Sequence, residues 1–249
     1  MTDRLRVATI NILNFADRWD ERLPLLLADM AALQPDLVGM QEVVYVMQQD
    51  RILAAAGPAR YVEVRGWARR PEYGNSLLVR EPLRFEAYDR LDLGLGRAAH
   101  RVVVALPGGG RLLVAVTHLH HTVDGATIRD GQAAAVLSWL DEVPPADAQL
   151  VMGDFNAGPG EPTHARMVAA GFRSAVAEAT GAEPAVTWPS GLQAPAMDTD
   201  GDPDCLDYIW LRGAASVVAA RLAFDRSAVH DPTLYPSDHF GIVAEVDVG

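Results

Sequence analysis

The chain contains no lysine; all 21 of its basic residues are arginine. That excludes Schiff-base chemistry and the lysine of a phosphate-binding P-loop. Cysteine is almost absent as well. Cys205 stands alone, so no internal disulfide can form and no zinc cluster can be built on cysteines. No apolar run reaches the roughly 18 residues that a membrane-spanning helix needs. Met1-Thr2-Asp3-Arg4 leads straight into a strand-like segment, without the apolar stretch of a secretory signal, which gives a cytoplasmic expectation. Positive charge is in deficit, with a formal net charge of −12. Proteins that bind duplex nucleic acid neutralise phosphates with basic side chains, so nucleic acid is disfavoured as a partner, although a local arginine patch can override the total.

What is present suits a globular protein. The 249 residues are 49% hydrophobic and 22% charged. One large core can account for that length, and residues 1–249 are expected to form a single domain. No fixed repeat and no low-complexity linker interrupts the chain. Residues 5–10 read as a strand ending at Asn11. Leu23, Leu26, Leu27, Met30 and Leu33 recur at helical spacing over residues 20–33, and Pro35 closes that helix. A strand at 36–42 and a helix at 46–56 follow. Short β-prone runs come next at 61–64, 76–79, 85–89 and 102–106. Pro107-Gly108-Gly109-Gly110 joins the last of these to 111–116 as a hairpin. A helix at 125–142, a strand at 150–152 and a helix at 162–170 precede strands near 207–211, 217–224 and 241–247. Hairpins mixed with helical connections do not make a purely parallel sheet. Two packed sheets with helices outside them satisfy the pattern.

Polar residues stand at the ends of these apolar strands, where a core has no use for them. Asn11 and Asn14 follow the first strand and Glu42 the second. His118 follows Val114-Ala115-Val116, and Asp154 and Asn156 follow Val151-Met152. Asp207 precedes Tyr208-Ile209-Trp210, and Ser237-Asp238-His239 precedes the last strand. Strand ends converge on a rim, and loops there commonly carry function.

In order along the chain stand Thr9-Ile10-Asn11-Ile12, Gln41-Glu42, Thr117-His118, Gly153-Asp154-Phe155-Asn156, Leu206-Asp207-Tyr208-Ile209 and Ser237-Asp238-His239. This series resembles the motifs of the endonuclease/exonuclease/phosphatase superfamily across residues 9–239. The resemblance implies a four-layer α/β/β/α sandwich of two mixed sheets with outer helices. It implies a Mg²⁺-dependent phosphoester hydrolase, with Mn²⁺ as a substitute. Mg²⁺ favours one or two carboxylates plus waters and substrate oxygens. Glu42 fits as a ligand, with Asn11 beside it directly or through water, and Asp238 as a further metal candidate. Asp154 would orient the attacking water and Asn156 would donate to the phosphate. His118 would donate to a phosphoryl oxygen as charge grows. His239 pairs with a carboxylate, either Asp238 or another Asp, that fixes its tautomer and raises its basicity. Asp207 supports the site by hydrogen bonding or at a second metal position.

Other residues are weighed against plainer readings. Asp154 and Asn156 could form only an Asx turn. His120 shares the side of His118 if the strand continues, while His121 reads as surface. Asn75 is structural or pocket-lining. Arg65, Arg69 and Arg70 around Trp67 could grip a phosphate or a base, or form a solvated loop. Arg97, His100 and Arg101 precede a strand, and Arg101 is a weak phosphate candidate. Trp188 is either core or near the pocket. The acidic run Asp198–Asp204 is partly similar to a calcium loop, but it lacks the distal glutamate and reads as a solvated loop.

The expected function is hydrolysis of a phosphomonoester or phosphodiester, on a small or lipid-derived substrate. The abasic-endonuclease branch carries a tyrosine motif where this chain has Thr117-His118, which points away from that branch. A nuclease on DNA or RNA is the alternative, and a non-catalytic binding module is third. The oligomeric state is not legible.

Overall fold

The first strand is central, and its neighbours are set by its pleat. Leu5 and Val7 point to one side, and Ala8 and Ile10 to the other, all of them buried. A strand apolar on both faces must be covered on both. The computed structural model, which describes residues 2–65, 74–143, 146–195, 197 and 200–249, shows how. In chain order it forms β1 (Asp3–Asn11), α1 (Trp19–Leu33), β2 (Leu37–Val43), a 3-10 turn (Tyr45–Met47), α2 (Gln49–Ala54), β3 (Tyr61–Arg65), β4 (Gly74–Arg80), β5 (Arg84–Gly94), β6 (Arg97–Ala105), β7 (Arg111–His118), α3 (Ala126–Asp141), β8 (Ala148–Asp154), α4 (Pro162–Ala169), β9 (Arg173–Ser174), α5 (Ala175–Thr180), β10 (Asp207–Gly213), β11 (Ala215–Ala223) and β12 (Gly241–Val248).

Two six-stranded sheets result, in the orders β11-β12-β1-β2-β4-β3 and β5-β6-β7-β8-β10-β9. Among the described residues β1–β2 and β7–β8 are the parallel pairs, each in the middle of its sheet. Leu5, Val7 and Leu37 of the first sheet meet Val114, Val116, Leu150 and Met152 of the second in one apolar layer. Outside the first sheet, Leu26 and Met30 of α1 cover Ala8, Ile10, Val38 and Met40. Outside the second, Trp139 of α3 and Met167 of α4 cover Ala115, Val151 and Trp210. The arrangement is the expected α/β/β/α sandwich of two mixed sheets. No described helix is long and apolar enough to cross a membrane.

The strands run longer than their apolar runs. β5 and β6 extend through polar residues to a turn at Leu95-Gly96, both with positive φ. The expected helix at 46–56 is broken. Gln48 adopts a left-handed conformation, and the Gln49 side chain accepts from Val44 N at 2.7 Å instead of facing solvent. β9 and α5 were not foreseen; two and six residues are too short to show a period.

Candidate active site

Alternation carries each inward row of side chains from the apolar layer to one rim. β1 runs Val7, Thr9, Asn11; β7 runs Val114, Val116, His118; β8 runs Leu150, Met152, Asp154. β10 arrives from the opposite direction, so Asp207 comes first and Ile209 and Leu211 lie deeper. Glu42 breaks the alternation. β2 is bulged against β4 between Met40 and Val43, and Glu42 sits at φ 59°. A bulge re-aims a side chain, and this one turns Glu42 toward Asn11. Gly153, before Asp154, has φ 143°, and a Cβ there would lie 2.0 Å from Thr117 O, so only glycine fits.

The loop before β12 is pinned onto β1. Ser237 Oγ donates to Asn11 O at 2.6 Å, and His239 N donates to Ser237 Oγ at 3.3 Å. Asn11, Glu42, His118, Asp154, Asn156, Asp238 and His239 thereby line one cleft of about 450 Å³. Asp207 lies beneath His239 and accepts from its Nδ1 at 2.9 Å. Asp207 is therefore the carboxylate that orients the ring, and Asp238 is left to face Glu42.

The ring is a buried cation among anions. Burial alone would lower the His239 pKa, but Asp207, Asp154 and Asp238 outweigh it and hold it well above the ordinary value. Asp154 is pushed up to about 6 by burial, against the pull of His239. Its Oδ1 accepts from Asn156 N at 2.8 Å and its Oδ2 from Asn11 Nδ2 at 3.0 Å. Glu42 is raised by burial and by Asp238. Asn14 Nδ2 donates to one Glu42 oxygen at 2.8 Å, and Asn11 Nδ2 to the other at 3.3 Å.

Two groups could hold a cation. Ligand atoms of Asp154, Asp207 and His239 lie within 4.8 Å of one another. In that trio His239 Nδ1 is engaged by Asp207, and Mg²⁺ favours oxygen ligands over imidazole. Glu42 and Asp238 offer hard oxygens on the cleft floor, and each repels the other's charge, which a divalent cation relieves.

Several expectations change. Asn11 Oδ1 accepts from Leu13 N at 3.0 Å, and Asn11 turns its N–H groups to the carboxylates of Glu42 and Asp154. His118 is held neutral by burial and by Arg97, with its pKa well below the ordinary value. Its Nε2 accepts from Arg97 Nη1 at 2.8 Å, so in this arrangement it is Arg97 that brings the donor. Asn156 Nδ2 donates to Leu119 O at 3.1 Å while lining the cleft.

Arg101 points away from the rim. It bonds Trp139 O and Asp89 and stacks over Trp139 at 4.1 Å. His121 lines the cleft, and His120 bonds Thr122 Oγ1 at 2.9 Å, because β7 ends at His118 and alternation stops there. Asn75 Nδ2 ties β4 to β6 through Ala98 O at 2.8 Å. Arg65 pairs with buried Asp50. Trp67, Arg69, Arg70, Asp198 and Thr199 lie outside the described residues. Trp188, Asp200, Asp202 and Asp204 wall the cleft. Arg97 was underweighted in the sequence. Antiparallel pairing of β6 with β7 sets the start of one beside the end of the other, and that was its signal.

Comparison with known proteins bears on the family and the fold. The model of the Endonuclease/Exonuclease/phosphatase family matches residues 8–239. The chain is 25% identical over 252 residues to Nocturnin of Xenopus laevis and 24% identical over 256 residues to Nocturnin of Rattus norvegicus, with 92% of this chain covered in both. It spans 64% and 58% of those proteins, about three fifths of their length. The structure resembles an endonuclease/exonuclease/phosphatase from Bacteroides vulgatus, with TM-score 0.80 and 20% identity over 99% of this chain and 100% of that one. It resembles the human Nocturnin catalytic domain with bound sulfate anion, with TM-score 0.79 and 22% identity over 100% and 98%. It also resembles D. rerio TDP2 complexed with single strand DNA product, with TM-score 0.80 and 20% identity over 98% and 99%. At these identities the structural likeness speaks for the fold.

Proposed function

Because the chain belongs to the endonuclease/exonuclease/phosphatase family of phosphoester hydrolases, we propose that it cleaves a small or lipid-derived phosphoester by attack of an activated water, with Mg²⁺ held at Glu42 and Asp238. The observation that carries this reading is the meeting, in one cleft, of the Glu42–Asp238 carboxylates and the Asp154–His239–Asp207 array. Bound there, Mg²⁺ or Mn²⁺ would supply a Lewis acid for a phosphoryl oxygen.

The chain's own groups handle protons and orientation. Asp154, with a pKa of about 6, is ionised at neutral pH yet basic enough to take a proton from water. The His239 imidazolium, fixed by Asp207, presents Nε2–H to the negative charge that grows on the phosphoryl group. Arg97 adds a guanidinium at the same cleft, a group whose planar donors suit phosphate. Asn11 and Asn14 orient Glu42. The second N–H of the Asn156 amide is available to the phosphate by its chemistry.

A nuclease is the second reading. One structural neighbour is complexed with a single strand DNA product, and Trp188, which lines the same cleft as Arg97, offers a face for a base. The acidic wall of Asp200, Asp202 and Asp204 and the net charge of −12 oppose a long polyanion. A panel of small phosphomonoesters, small phosphodiesters and single-stranded oligonucleotides, assayed with Mg²⁺, Mn²⁺ and EDTA, tests both. Turnover of small esters that EDTA abolishes is expected. Turnover of oligonucleotides alone would replace the first reading by the second. No turnover of any ester would leave a binding module.

A further inference from the structure

A cation is buried behind the cleft floor. Arg22 lies in the first turn of α1 and is fully buried. Positive charge is disfavoured at a helix N-terminus, where the peptide dipole already points its positive end. Burial lowers the Arg22 pKa to about 10, which still leaves it charged at neutral pH. The field of Asp238, Asp17 and Glu42 compensates part of this charge, though among the described residues no ion pair to Arg22 is formed.

The direct partners are carbonyls. Nε donates to Asp17 O at 2.7 Å, Nη1 to Ile12 O and Pro236 O at 2.9 Å each, and Nη2 to Leu13 O at 3.0 Å, Ala16 O at 2.8 Å and Asn14 O at 3.5 Å. Two loops are thus gathered on one guanidinium. The loop at 12–17 carries Asn14, whose amide holds Glu42. Pro236 stands two residues before Asp238. A single nitrogen, Nη1, bonds both loops, the second of them 214 positions from Arg22 in sequence.

The first loop is held by Gln49 as well, whose Nε2 donates to Asn14 O at 2.7 Å. Leu13, Asn14 and Asp17 have φ of 51°, 34° and 46°, a region costly for residues with side chains. Carbonyl dipoles converging on one point also repel one another unless a cation sits among them. Arg22 is that cation, and its planar fork of five N–H groups serves six carbonyl oxygens, Nη2 being shared among three of them.

We propose that Arg22 is a positioning residue that sets the cation affinity of the Glu42–Asp238 floor by locking together the loops that carry Asn14 and Asp238. This rests on the metal reading given above. A staple of the fold alone would lower stability and leave affinity unchanged. Arg22→Lys keeps the charge but has a single nitrogen with three donors. Mn²⁺ binding is followed by electron paramagnetic resonance, with thermal melts in parallel. Leu26→Ala, on the apolar face of the same helix, is the control for destabilisation.

Arg22→Lys is expected to raise the Mn²⁺ dissociation constant roughly 10- to 100-fold, the usual effect of losing a supporting group around a metal. KM at saturating Mn²⁺ should stay near that of the parent. Leu26→Ala should melt lower and bind Mn²⁺ like the parent. Equal affinity in Arg22→Lys and the parent, or equal weakening in Leu26→Ala, overturns the proposal and leaves the metal reading intact. A parent chain that binds no Mn²⁺ overturns both. Should Arg22→Lys not fold, hydrogen exchange on the parent decides. Mn²⁺ should raise protection at residues 12–17 and 237–239 together, and protection confined to one loop overturns the proposal.

Discussion

The two sheets are built alike and work differently. Each has six strands with one parallel pair at its centre, and each presents that pair's ends to the same cleft. The first sheet brings Asn11 and Glu42, oxygen and amide groups suited to holding a cation. The second brings His118, Asp154 and Asp207, groups suited to holding and moving protons. Hydrogen bonds join the halves. Asn11 of the first donates to Asp154 of the second, and His239, leading into the first, bonds Asp207 of the second. The lesson is that neither sheet carries a site alone. Burial of both half-sites in one shared layer raises Asp154 and Glu42, and the carboxylates gathered there hold the His239 pKa up against that same burial.

If the labour is divided this way, breaking one half should spare the other. The largest effect is expected for Asp154→Asn. Removing the base should lower kcat roughly 10²- to 10⁴-fold, with Mn²⁺ affinity near that of the parent. The same variant should melt higher than the parent at pH 8. The folded-state pKa of Asp154 lies above its unfolded value, so the ionised group destabilises the fold above about pH 6. That advantage should shrink as pH falls through 6 and vanish below about 4, where Asp154 is protonated folded or unfolded. Activity of the parent should fall on the acid side of pH 6. Loss of Mn²⁺ binding in Asp154→Asn, measured by the same titration, would erase the division.

The converse variant is Glu42→Gln. It should shift the metal concentration for half-maximal rate upward by at least about tenfold, and excess metal should recover much of kcat. A kcat that stays low at every Mg²⁺ concentration would place Glu42 with the proton-handling groups.

Much of this was legible in the sequence, for physical reasons. Strands apolar on both faces can only be central, and a polar residue that continues an inward row, such as Asn11 or Asp154, must emerge at the rim. The partner of His239 was not legible. Asp238 adjoins it in sequence, yet it is Asp207 that reaches the ring, because β10 runs against β8. Arg22 was hidden for a similar reason. A helical arginine between Glu21 and Leu23 looks solvated, and its six carbonyl partners come from loops whose shape no periodicity encodes. His121 was missed because strand alternation was carried one step past the strand's end.

A buried histidine of the second sheet gives a smaller effect of the opposite sign. His100 packs on Tyr88, and its pKa is lowered to about 4 by burial and by Arg90. Its folded-state pKa lies below the unfolded 6.5, so the fold keeps it neutral while the unfolded chain takes up a proton. Stability from this group should fall as pH drops from about 6.5 toward 4. Asp154 and Glu42 push the other way over that range, so the readout is a difference. Denaturant unfolding of His100→Gln should show a shallower loss toward acid than the parent, and parallel curves would remove His100 as the cause.

The smallest effect tests where the sheets touch. Gly39 of β2 faces β8, and a Cβ there would lie 2.7 Å from Met152 Cγ and Sδ. Gly39→Ala should therefore destabilise by about 1 kcal/mol, the crowding cost reduced by the lower chain entropy of the unfolded state. Met152→Ala alone should cost more, about 2–5 kcal/mol, because it opens a cavity in the apolar layer. Combined, the two should cost less than their sum, since the shortened side chain makes room for the added methyl. Strictly additive values from urea unfolding would mean that the sheets part at this point before the methyl is felt. The close approach of β2 to β8 would then not be what holds Glu42 and Asp154 on a common floor.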